Sequence, residues 1–185
     1  MNSIAWEQCE LNDFTNRIVR KNLNNESDLP LTISAIDGLV DQTKYFNNRV
    51  ASKNLKTYFL VYNGEFAYNK SSSDGYPYGA IKRLDYYQKG VLSSLYIVFE
   101  IKKGSQNKVV DSDFLTILFD TNRWHYWVSQ RAAEGARNHG LLNISPSDFF
   151  LLPVKIPYET NEQKKIGKIF FTINRLITLH QRKPP

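Results

Sequence analysis

Residues 162–183, EQKKIGKIFFTINRLITLHQRK, carry the pattern of an amphipathic helix. At about 100° per residue, Ile166, Ile169, Phe170, Ile173, Leu176, Ile177 and His180 fall within one sector roughly 120° wide. Lys164, Lys168, Arg175 and Arg182 fall opposite, within about 40°. Ile166, Phe170, Ile173, Ile177 and His180 step alternately by four and three residues, the stepping of a coiled-coil seam. Phe171 and Leu179 lie on the basic side, so both faces have something to offer a partner. His180 reads as a tolerated polar position on the seam, because His125 and His139 are too poorly spaced to build a metal site with it. Two readings stay open from the pattern alone. The helix either covers its own domain or protrudes to pair with another helix.

The start of this helix is well marked. Pro157 closes the segment before it, and Thr160 with Gln163 forms a T-x-x-Q capping box, with Asn161 and Glu162 favourable in the first turn. A helix opened there could run about 23 residues, or roughly 35 Å.

Upstream, the pattern mixes strands and helices. LTISAI (31–36) reads as a strand and DGLVDQ (37–42) as the turn after it. LKTYFLVY (55–62) and EFAYN (65–69) read as strands joined at Asn63-Gly64, a strong hairpin signal. KSSSDGYPYG (70–79) must be a loop, AIKRL (80–84) a short strand, and SLYIVFEI (94–101) the clearest strand in the chain. DSDFLTILFDTNRWHYWVSQRAA (111–133) reads as helical with an Asp or Ser cap. GARNHG (135–140) reads as a loop, and LLNIS and FFLLPVKI read as strands around an SPSD turn. Without regular βαβ alternation, the expected class is α+β, a globular mixed sheet-and-helix domain followed by the long C-terminal helix.

The totals bound the function. The 185 residues suit one domain with an appendage and allow a real core. A net charge of +6 is compatible with a polyanionic partner such as DNA. One cysteine, Cys9, excludes an internal disulfide framework and a cysteine-rich zinc site. No run reaches the ~18 apolar residues of a membrane span. The N-terminus lacks the basic-then-apolar order of a signal peptide, so the expected compartment is the cytoplasm.

Catalytic signatures are missing. No G-x-G, no G-x-x-x-x-G-K-[ST], no Asn-Pro-Pro-aromatic tetrapeptide and no G-x-S-x-G occurs. One enzymatic reading survives: Asp85, Glu100 and Lys102 at strand ends could hold a divalent metal and orient water for phosphodiester cleavage. Two loops are better suited to gripping DNA. In YNKSSSDGYPYGAIKR (68–83), Lys70, Lys82 and Arg83 supply charge, while Ser72, Tyr76 and Tyr78 supply hydrogen bonds to phosphates or base edges. In EGARNHG (134–140), Arg137, Asn138 and His139 stand together, and Arg suits guanine and Asn adenine in the major groove. Trp124, Tyr126 and Trp127 are spaced like a packed helix face and are expected in the core.

Four stretches together carry a resemblance: W-E-Q-x-x-L (Trp6 to Leu11), GEFAYNKSSSDGYPYGAIKRL (64–84), GARNHGLLNIS (135–145), and IPYETNEQKKIGKIFFTINRLITLHQRK (156–183). The chain resembles one half of the DNA-specificity subunit of a type I restriction-modification system. Such recognition domains close on an Ile-Pro followed by E-Q-x-x-I and a helix of this kind, matched here by Pro157, Glu162, Gln163 and Ile166. The resemblance implies a target recognition domain, residues 1–155, that reads one half of a split site in double-stranded DNA. It implies a spacer helix, residues 156–185, that pairs with a second helix. It implies adenine methyltransferase (modification) subunits and a restriction/translocase subunit as partners, and a chain that itself catalyses nothing and needs no cofactor. Family members carry two recognition domains and two spacer helices, whereas this chain has one of each. The unpaired seam then implies a homodimer through the C-terminal helix and a symmetric, interrupted recognition site. A third possibility is an interaction protein that binds modification subunits without reading DNA.

Overall fold

The computed structural model describes residues 5–48, 50–104, 108–132 and 140–181, with only the backbone of 175 and 178–181. At its centre is a four-stranded antiparallel sheet in the order β2 (Thr15–Ile18), β9 (Ile97–Ile101), β6 (Phe66–Asn69), β7 (Ala80–Arg83). Side chains alternate across it, as the two-residue period of a strand requires. Phe66, Tyr68, Ile97 and Phe99 point to one core, and Ala67 and Val98 to another. Burial on both faces selects continuous apolar runs such as IVF in β9, which is why β6 and β9 were legible.

The first core is aromatic. Phe66 stacks on Phe99 with ring centroids 5.4 Å apart, and Tyr68 stacks on Phe149 at 4.8 Å. Each such burial stabilises the fold by about 2–3 kcal/mol of transfer free energy. The helices α3 (Ser112–Asp120), α4 (His125–Ala132) and α5 (Pro146–Phe150) cover this face. The second core lies under the hairpin β3 (Leu31–Ser34) and β4 (Gly38–Asp41), and under the pair β5 (Phe59–Tyr62) and β8 (Lys89–Leu92). A last antiparallel pair, β1 (Trp6–Glu10) with β10 (Pro153–Pro157), brings Trp6 opposite Pro157. Cys9 is buried in that pair, and burial pushes its thiol up to about 11. Two short helices, α1 (Leu11–Phe14) and α2 (Gln42–Phe46), follow β1 and β4. The α6 helix (Thr160–Gln181) follows β10. Among the described residues no helix is long and apolar enough to cross a membrane.

The mixed α+β class and the long C-terminal helix are borne out, and four local expectations are corrected. Asn63-Gly64 is not a hairpin, for β5 pairs with β8 and β6 with β7 and β9. Gly64 takes φ +85° but Asn63 does not share it, so the two-residue turn that joins neighbouring strands is not formed. Instead Glu65 bends the chain between sheets: its carboxylate accepts from Tyr62 N at 2.8 Å and holds Arg20 at 2.7 Å. Asn63 Nδ2 donates to the carbonyls of Asp85 and Tyr87, 3.1 and 3.2 Å away.

Within DGLVDQ, Gly38–Asp41 is a strand and not a turn, with Leu39 fully buried opposite Ile33. The 111–133 helix breaks at Thr121, whose hydroxyl donates to Leu118 O (2.6 Å) and whose backbone is extended. SPSDFF is a helix with Ser145 as cap and Pro146 at the first position, and LLNIS forms no strand beyond a bridge at Leu141.

Candidate nucleic-acid interface

Residues 70–79 form a ridge that the backbone itself makes rigid. Ser73 and Tyr76 exchange hydrogen bonds of 3.2 and 2.9 Å around a turn in which Gly75 takes φ +76°. Gly79 N then donates to Tyr76 O at 3.1 Å. Gly79 also has φ +76°, and a side chain there would strike the carbonyl oxygen of Asn69. Ser71 N donates to Asn69 Oδ1 at 3.0 Å, which holds the start of the loop. A loop ordered before contact loses little entropy on binding.

The two loops singled out from the sequence meet here. Ser72 donates to Gly140 O from both its N–H (2.9 Å) and its hydroxyl (3.0 Å), and Leu142 N donates to Lys70 O at 2.9 Å. Arg137, Asn138 and His139 immediately precede Gly140 in the chain and lie outside the described residues. Lys70 is half-buried, and burial lowers its pKa. Tyr76 is half-buried on the ridge. Tyr78 packs on the aromatic core, 5.3 Å from the His125 ring, and its carbonyl takes the Tyr68 hydroxyl at 2.9 Å.

Two of the expected phosphate contacts are spent internally. Lys82 Nζ lies 2.7 Å from Asp120. Arg83 donates to Asp85 (2.6 Å), Ser112 Oγ (2.8 Å) and Asp113 (2.8 Å), with its side chain 13% exposed. Burial alone would depress the Arg83 pKa, but the hydrogen bonds to Asp113 and Asp85 overcome it and hold it above the ordinary value. Both side chains bolt β7 to α3.

The sequence missed the turn between α3 and α4. Asn122 and Arg123 are exposed there, Arg123 forms no ion pair with a described residue, and Tyr126 is 75% exposed. Trp124 is buried as expected and Trp127 packs on the core, so Tyr126 alone departs from the expected face. The signal was available: a helix face of period 3.6 that buries Trp124 and Val128 turns Tyr126 outward. Together the ridge and this turn border a cavity of ≈ 430 Å³ lined by Tyr76, Lys82, Asn122 and His125. His125, held against Trp124 at 4.4 Å, has its pKa lowered by burial. On its other side the ridge borders a larger groove of ≈ 680 Å³, whose far wall includes Ile36, Gln42 and Phe46. The whole is a stiff polar ridge beside two grooves, one of them lined also by Asn122 and His125, a shape able to engage phosphates and base edges.

The metal-site reading gains no geometry. Asp85 pairs with Arg83, and Lys102 Nζ donates to the carbonyls of Asn12 (2.6 Å) and Asp13 (3.2 Å). Glu100 is on β9, two strands from β7 with β6 between, roughly 10 Å at ordinary strand spacing.

The α6 helix divides in two. Gln163 is fully buried: its Oε1 accepts from Asp111 N (2.7 Å), and its Nε2 donates to Pro157 O (2.9 Å) and Val109 O (3.3 Å). It is thus a cross-link between β10 and the start of α3, not the partner of Thr160 in a capping box. Ile166 packs on the aromatic core, which removes it from the expected pairing seam. Beyond Gly167, Ile169, Phe170, Ile173, Leu176 and Ile177 are all exposed, at 43–60%. His180 lies on the same helix, its side chain outside the described ones.

No protein-family model and no curated protein matches this chain significantly. Solved structures do. A chain from a type I R-M system, studied for its complex assembly and conformational transition, overlays with a TM-score of 0.60 at 15% identity, covering 97% of this chain and 45% of that one. The HsdS subunit from Thermoanaerobacter tengcongensis gives 0.59 at 16% identity, over 95% and 44%. The S subunit of the type I restriction-modification system from M. genitalium gives 0.55 at 14%, over 95% and 40%. The chain therefore has the fold of these specificity subunits, as the sequence resemblance anticipated, and spans less than half the length of each.

Proposed function

We propose that this chain, which has the fold of type I restriction-modification specificity subunits, is itself the DNA-specificity component of such a system. It comprises one target recognition domain, about residues 1–155, and a spacer helix, 156–185. The domain reads one half of a bipartite site in double-stranded DNA. The chain holds adenine methyltransferase subunits over that site, and a restriction/translocase subunit joins the assembly. The chain contributes recognition and no chemistry, and works in the cytoplasm.

The observation that carries this reading is α6, which leaves the domain with Ile169, Phe170, Ile173, Leu176 and Ile177 uncovered along one side. A second copy paired antiparallel covers such a seam. The two-fold axis places identical readers at both ends, so the recognised site is a symmetric, interrupted sequence. The ridge at Lys70, Ser72, Tyr76 and Tyr78 is the reading surface, together with Arg137, Asn138 and His139, which precede Gly140 in the chain. Arg123, exposed in the turn between α3 and α4, supplies a phosphate contact in place of Lys82 and Arg83.

The test is expression of this chain with a modification subunit in a host free of other adenine methylation, followed by sequencing of modified adenines. The expected result is one interrupted palindrome, methylated on both strands. Methylation at an asymmetric or unbroken sequence would overturn the paired-reader reading, and co-purification without any methylated sequence would favour a non-reading interaction protein.

A further inference from the structure

The transition between the two halves of α6 falls at Gly167. Glycine inside a helix costs about 1 kcal/mol relative to alanine, so its presence there needs a packing reason. The reason is close approach. A Cβ built on Gly167 would lie 3.0 Å from Asp113 Cβ, 3.1 Å from Phe114 N and 3.3 Å from Asp113 C. Two of those three atoms are backbone in the first turn of α3 and cannot swing aside.

Flanking contacts fix the crossing. One turn earlier, Gln163 is bound from three sides by Asp111, Val109 and Pro157. Asp111 in turn caps α3, its carboxylate accepting from Asp113 N (3.1 Å) and Phe114 N (3.0 Å). One turn later, the Phe171 ring centre lies 6.0 Å from the Arg83 guanidinium, which is itself tied to Asp85, Ser112 and Asp113. Further along, Ile173, Leu176 and Ile177 are exposed.

We infer that Gly167 and Gln163 form a rigid joint that sets the angle at which the helix leaves the reading domain, and through it the gap between two paired readers. The joint is a property of one chain; its effect on the gap rests on the proposed function. The helix beyond Gly167, to Gln181, is roughly 21 Å long, so a tilt of about 15° displaces its far end by about 5 Å. Two copies double the displacement. At 3.4 Å per base pair, the preferred gap between half-sites shifts by about one to three base pairs.

The test places nitroxide labels at Tyr86→Cys, an exposed site on the body, and Thr178→Cys in a Cys9→Ser background. The labelled chain is diluted with unlabelled chain so that only distances within one molecule are read by double electron–electron resonance. Gly167→Leu is expected to move the mean distance by about 3 Å or more, and Gln163→Ala to broaden the distribution; Lys168→Ala should do neither. Should Gly167→Leu fail to give a cooperative melt, Gly167→Ala and Gln163→Ala decide the matter. An unchanged mean with Gly167→Ala or Gly167→Leu, together with an unchanged width with Gln163→Ala, overturns the joint. Methylation mapping of the same variants reads the gap. A moved distance without any methylated site leaves the joint standing and removes the proposed function. Unmoved distances beside an intact methylated palindrome remove the joint alone.

Discussion

Ile166 and Ile173 occupy the same position of the same helical repeat, seven residues apart, and meet opposite fates. Ile166 packs on the aromatic core beside α3, whereas Ile173 stands 43% exposed. Hydrophobic periodicity specifies which face of a helix is apolar and is silent on what covers that face. The covering is decided by residues off the stripe. Gln163 and Gly167 hold the first turns against Asp111 and Phe114. One uninterrupted pattern therefore encodes two surfaces, one for folding and one left for a partner.

The largest effect that separates them is on self-association. Phe170→Glu combined with Ile173→Glu buries two charges in the proposed seam and is expected to weaken the dimer more than 100-fold, about 2.7 kcal/mol or more. Sedimentation would then give a monomer with an unshifted melting temperature at dilutions where the wild type is also monomeric. A double variant that remains dimeric would place the contact elsewhere. Next in size is the matched pair Ile166→Ala and Ile173→Ala. The first, on a half-buried side chain, is expected to cost about 1–2 kcal/mol of monomer stability by urea unfolding. The second should stay within about 0.5 kcal/mol. Equal costs would mean that the helix is docked, or free, along its whole length.

The sequence made the helix and the two innermost strands readable because each depends on local pattern. The strands at 66–69 and 97–101 are buried on both faces and so are continuous apolar runs. What failed depended on non-local partners. Asn63-Gly64 resembles a hairpin turn until Glu65, buried by Arg20 from 45 residues away, redirects the chain into another sheet. Strand β1, WEQCE, has almost no apolar signal and exists because Pro153–Pro157 pairs with it. At the candidate interface, loop chemistry identified the ridge and its neighbour at Gly140, which the fold joins through Ser72. It could not distinguish cations that face out from cations that face in. Lys82 and Arg83 have the composition of phosphate contacts, but Asp120 and Asp113 come from a helix that sequence spacing does not bring near.

That distinction yields the smallest expected effects. Arg83→Ala leaves Asp85 and Asp113 without their shared cation at the start of α3, close to the docked half of α6. It is expected to lower the melting temperature by a few degrees and to leave the salt dependence of duplex binding by the assembled complex unchanged. Exposed charges are worth little to folding, so Arg123→Ala should melt with the wild type. Its exposed side chain is instead expected to reach one phosphate. Its loss should weaken binding several-fold for every duplex alike and reduce the slope of log K against log salt by about 0.9. Titrations across 50–200 mM salt resolve a change of that size. If Arg83→Ala flattened the slope and Arg123→Ala did not, β7 would carry the DNA contact, and the internal bracket drawn here would open when DNA binds.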